Sequence, residues 1–110
     1  MENNDLSTSS IDLMAHRCPT AMSLARRAIN DFVKKSNVGD VFLIQTIEPS
    51  FKRDLLTFLN SEYKELNIKD IISGEISEDS IINWEDNDFE ESEWKGLEQS
   101  LYVVEKIDNK

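Results

Sequence analysis

The stretch Thr20 to Lys35 constrains the fold more than any other. Met22, Ala25, Ile29, Phe32 and Val33 recur at spacings of three and four, and Ala21, Leu24 and Ala28 widen the stripe. Arg26, Arg27, Asn30, Asp31 and Lys34 fall largely elsewhere. An amphipathic helix must bury that stripe against another element. Thr20 is the expected N-cap, and Lys34 with Lys35 suits the negative end of the helix dipole. Asn37-Val38-Gly39-Asp40 is turn chemistry, and Val41 to Ile47 follows as a nearly continuous apolar, β-branched run. Such a run is expected of a central strand.

The same alternation continues. Glu48-Pro49-Ser50 ends the strand and opens a second helix, with Phe51, Leu55, Phe58 and Leu59 as its apolar stripe and its end near Ser61 or Glu62. Lys64–Ile72 reads as a strand, and so does Leu101–Ile107. Ser10–Met14 is a short strand candidate ahead of the first helix. The expected architecture is α/β in the sense of an α+β two-layer sandwich, βαβαββ, with two helices packed on one face of a four-stranded mixed sheet. The first two strands, joined through a helix, should run parallel as a right-handed crossover.

A chain of 110 residues holds one domain and one modest core. Residues 1–9 read as a disordered lead-in, 10–107 as the domain, and 108–110 as a tail. The net charge of −10 is concentrated: residues 73–100 carry ten acids and one base. This acidic insertion also holds Ile76, Ile81, Ile82, Trp84, Phe89, Trp94 and Leu97, and a solvated linker would not hold both tryptophans. Short helices are expected around Asp79–Asn83 and Glu90–Gln99. If the segment folds back over the open sheet face, Trp84 and Trp94 are its anchors. If it does not, they form an exposed patch that marks a partner surface. Asp86-Asn87-Asp88 lacks the glycine that a calcium-binding loop places at its sixth position, where Glu91 stands.

Without clustered Lys and Arg over the whole chain, direct nucleic-acid binding is not expected. No apolar run approaches a membrane span, and Met1–Ser10 lacks the apolar core of a secretory signal. A single cysteine fits a reducing compartment, so a cytoplasmic location is expected. A monomer is expected, with no cofactor and no metal site; His16 and Cys18 alone supply too few ligands.

That cysteine, Cys18, lies in Arg17-Cys18-Pro19-Thr20 at the mouth of the first helix. A thiol there faces the positive end of the helix dipole, which lowers thiol pKa and favours the reactive thiolate. The ordinary alternative is a small buried apolar residue. His16 could pair with the thiol or stand as a loop residue without a role. Asp12 is expected to tie the loop through local hydrogen bonds. Glu48 and Arg53-Asp54 read as cap and ion-pair positions.

The run Asp12-Leu13-Met14-Ala15-His16-Arg17-Cys18-Pro19-Thr20-Ala21 resembles the signature of the TusA/SirA-like sulfur-carrier family, in which Cys-Pro-x-Pro opens the first helix. Gly39-Asp40, Glu48-Pro49 and Arg53-Asp54 stand at compatible spacing with further landmarks of that family. The resemblance covers about residues 10–70 and the last strand. Ala21 replaces the second motif proline, Ala15 the usual glycine and His16 the usual leucine, and the insertion replaces a short turn. The resemblance implies a two-layer sandwich like the C-terminal domain of translation initiation factor three. It also implies a sulfur carrier, rather than a turnover enzyme, that holds sulfane sulfur on Cys18. The expected donor is a cysteine-desulfurase-like protein and the acceptor a second protein, in tRNA thiolation or related sulfur trafficking. Arg17, Pro19 and Thr20 would form the thiol's environment, and Arg26 and Arg27 are candidates for a docking patch beside it. The alternative is a non-catalytic interaction or regulatory module that keeps the fold and uses its acidic insertion.

Overall fold

Both apolar helix stripes land on the same sheet face. In the computed structural model, which describes residues 8–107, the order is β1 (Thr8–Asp12), α1 (Thr20–Lys35), β2 (Val41–Thr46), α2 (Phe51–Glu62), β3 (Leu66–Gly74), α3 (Glu78–Asp86), a 3₁₀ turn (Glu91–Glu93) and β4 (Gln99–Lys106). The sheet order is β1-β2-β4-β3. β1 pairs parallel with β2, while β4 runs antiparallel to both β2 and β3. Ala21, Met22, Ala25, Ile29 and Phe32 of α1 share one core with Phe51, Leu55 and Leu59 of α2. They lie over Phe42 and Ile44 of β2 and Tyr102 and Val104 of β4. The α+β two-layer sandwich follows, as the alternation of patterns predicts.

Several boundaries move. β1 begins at Thr8, because its ladder needs only backbone: Thr8 pairs with Val41 and Ser9 with Phe42. The strand therefore takes two residues from the expected lead-in. The rest of that lead-in (1–7) and the tail (108–110) lie outside the described residues. Met14 leaves the strand at a positive φ of 54°, and Asp12 Oδ1 accepts its backbone N–H at 2.8 Å. Asp12 thus ties the loop as expected. β3 runs two residues past Ile72, with a bulge between Ile68 and Asp70. Gly39 has a φ of 97°, a turn conformation that suits glycine, and its N–H donates to Lys106 O. Lys106 Nζ also donates to the carbonyls of Val33 and Ser36, so a β4 side chain satisfies the end of α1.

The insertion is ordered but does not lie where the open sheet face would place it. Trp84 and Trp94 pack edge to face at 5.4 Å and form a second buried cluster with Ala15 and Ile47. Ala15 follows β1 and Ile47 follows β2. The insertion therefore covers the ends of the two parallel strands, beside the Cys18 loop. Phe89 meets the His16 ring at 5.0 Å, and Asn83 Nδ2 donates to Met14 Sδ. Ser77 caps α3 by accepting the Ser80 N–H.

Candidate functional site

The Cys18 loop is held by one carboxylate. Glu48 leaves the end of β2 and is buried. Its Oε1 accepts the Cys18 backbone N–H at 3.0 Å and Arg17 Nε at 2.8 Å. Its Oε2 accepts the Ser50 N–H at 3.1 Å and the Ser50 hydroxyl at 2.9 Å. Burial pushes the Glu48 carboxyl up, but the donors from Cys18, Arg17 and Ser50 outweigh it and hold the pKa at about 2. A carboxylate so placed fixes Cys18, at the mouth of α1, to the start of α2.

The Arg17 guanidinium is spent on the Glu48 carboxylate, at 2.8 Å. Thr20 is not the N-cap. Pro19 occupies that position in an α conformation, Thr20 is the first helical residue, and no side chain caps α1. Ser50 likewise spends its hydroxyl on Glu48 and leaves α2 without a side-chain cap. His16 turns to Phe89 rather than to the thiol.

The Cys18 thiol is half-buried and unpaired in any disulfide. Its Sγ–H donates to Asp54 Oδ2, in the first turn of α2, at 3.5 Å. Burial pushes the thiol pKa up. The Ser50 hydroxyl and the Met22 amide favour the thiolate, but the Asp54 and Glu48 carboxylates oppose it, and the net direction is upward. The helix-mouth position does not deliver the lowered pKa that position alone predicts. The helix offers one first-turn amide, while two carboxylates stand near the sulfur. The resting group is the neutral thiol.

That balance gives a measurable consequence. Asp54→Asn should move the pH midpoint of Cys18 alkylation downward, because it removes a carboxylate facing the thiolate. Ser50→Ala should move it upward. Iodoacetamide rates measured across pH check both directions, and an unchanged midpoint in Asp54→Asn would contradict the assignment.

Cys18 opens onto a groove of about 580 Å³ between α1 and α2. Pro19, Met22, Ser23 and Arg26 line it from α1, and Asp54, Thr57, Phe58, Ser61 and Glu62 from α2. Arg26 stands over the Phe58 ring at 5.4 Å. Of the two candidate docking arginines, only Arg26 lines this groove; Arg27 is exposed outside it. Glu48 and Asp54, which read as cap and ion-pair positions, do stand in ion pairs, with Arg17 and Arg53, and both also meet Cys18. Ser50, which joins them through Glu48, had no sequence signal as a site residue. Among the described residues no group of three or more metal-ligating side chains converges, and no helix is long and apolar enough to cross a membrane. Comparison with family models, with curated proteins and with solved structures returns no match.

Proposed function

We propose that this chain is a sulfur carrier that holds sulfane sulfur on Cys18, as the resemblance of its motif implies. The observation that carries the reading is the position of Cys18. A free thiol, fixed through its own amide by Glu48, opens onto a groove large enough for a substrate. The transfer is thiol–persulfide exchange. Cys18 Sγ attacks the outer sulfur of a donor persulfide, the new S–S bond forms on Cys18, and the donor's S–S bond breaks. The donor leaves as a thiolate and takes up the proton that Cys18 releases. Asp54, which accepts the thiol's hydrogen bond, can take that proton in transit. The sulfane sulfur then sits about 2 Å beyond Sγ. A second thiol attacks it and regenerates Cys18. A cysteine-desulfurase-like protein as donor, a protein thiol as acceptor and a cytoplasmic, monomeric carrier complete the proposal.

Two observations favour a second reading, an interaction module. Burial pushes the Cys18 thiol up, away from an activated thiolate, and the ordered insertion exposes Ile82 among Glu78, Asp79, Glu85 and Asp86 one helical turn to either side. Persulfide loading followed by intact mass separates the two. A one-sulfur adduct on the native chain, absent in Cys18→Ser, supports the carrier. A folded chain that takes no sulfur supports the module.

A further inference from the structure

The groove beside Cys18 has two ends of different chemistry. Cys18 and Asp54 mark one end, joined by the thiol hydrogen bond. Arg26 faces Phe58 further along, and Tyr63 donates to Asn30 beyond that. Successive contacts advance along both helices together, so α1 and α2 run side by side in one direction. Arg26 is eight residues past Cys18 and Glu62 eight past Asp54, which places both about 12 Å along the groove from the thiol. Among the described residues neither has an ion-pair partner: Arg26 stands over the Phe58 face, and neither it nor Glu62 joins a salt bridge. One groove therefore offers a nucleophile at one end and, at the other, an unpaired cation and an unpaired carboxylate that do not reach each other.

The complement of that arrangement carries a sulfur and both signs of charge within a few residues' length. Three extended residues span about 10 Å. The groove volume of about 580 Å³ lies within the range of small-molecule sites and is modest for a folded partner. We propose that the α1–α2 groove binds the persulfide of a low-molecular-weight zwitterionic peptide thiol, with its sulfur at Cys18, a carboxylate at Arg26 and its ammonium at Glu62. This rests on the carrier reading and gives it a substrate class besides protein donors. The exchange balances as before. The Cys18 Sγ–S bond forms, the peptide's S–S bond breaks, and the peptide thiolate leaves with the proton from Cys18.

Glutathione persulfide is the probe, compared with mercaptoethanol persulfide, which has a sulfur but no charged ends. The full reduced chain is mixed with each over a concentration series, and sulfur on Cys18 is followed by intact mass. Loading from glutathione persulfide should saturate. Arg26→Gln and Glu62→Gln should each raise the half-saturation concentration about five- to tenfold, and Arg26→Lys should restore most of the loss. Loading from mercaptoethanol persulfide should be linear in concentration and unchanged by these substitutions. Both side chains are exposed, so the variants should keep the native thermal transition. Linear kinetics with equal rate constants for both persulfides would overturn the groove assignment while leaving the carrier intact. So would saturation that neither variant alters. A protein donor that depends on Arg26 where glutathione persulfide does not would assign the groove to a polypeptide instead. If neither persulfide loads Cys18, the carrier reading itself fails.

Discussion

Glu48→Ala should cost about 3–5 kcal/mol of stability and release the Cys18 loop. The side chain is 8 % exposed, so its removal leaves the Cys18 and Ser50 amides and the Arg17 guanidinium without their acceptor. The part-buried Cys18 and Ser50 amides left unpaired carry most of that cost, while the half-exposed Arg17 turns to solvent. Glu48→Gln keeps the shape and one carbonyl oxygen but not the charge, and about half the loss is expected. Chemical denaturation measures both. The same carboxylate sets a pH dependence. Its folded pKa of about 2 lies below the ordinary 4.5, so its contribution is fully present above pH 4.5 and is lost as pH falls through about 2. The difference corresponds to about 3 kcal/mol. In Glu48→Gln the fall in stability between these two pH values should be smaller by about that amount.

Trp84→Ala should be comparably damaging, at about 3–5 kcal/mol, and its effect should reach the motif. Trp84 is wholly buried, with Trp94, Ala15 and Ile47 around it. Ala15 lies three residues before Cys18 and Ile47 directly precedes Glu48, so the collapse of this cluster loosens the Cys18 loop. Trp84→Phe should cost much less, about 1 kcal/mol. Among the described residues the buried indole Nε1 has no hydrogen-bond partner, so phenylalanine gives up volume but also removes that donor. Denaturation midpoints and Cys18 alkylation rates, measured together, check both parts. If Trp84→Ala unfolds the insertion while leaving the alkylation rate unchanged, the insertion does not support the motif.

The helices were legible because a 3.6-residue period is a local signal: α1 spans Thr20–Lys35 as its stripe predicts. The first strand was less so. Thr8 and Ser9 join a ladder through backbone groups, which no side-chain pattern reveals. The site was legible at Cys18 and only partly around it. Glu48 lies 30 residues from Cys18 in sequence and Asp54 lies 36, and both are brought to the thiol by the parallel course of β1 and β2. Locally each reads as an ordinary residue at a helix start. The pairing of Arg17 with Glu48 spans 31 residues and has no local signature. Two tryptophans in an acidic segment announced an ordered insertion. Their target could not be read, because Ala15 and Ile47 become neighbours only once two strands end together.

The carrier account rests on sulfur moving through Cys18, and intact mass tests that most directly. The reduced native chain is incubated with a cysteine-desulfurase and cysteine, separated, and then given an acceptor thiol. The account predicts a single-sulfur adduct that forms on the native chain, is absent from Cys18→Ser, and disappears as the acceptor gains one sulfane sulfur. A folded native chain that gains no sulfur under conditions that load a known carrier would contradict it.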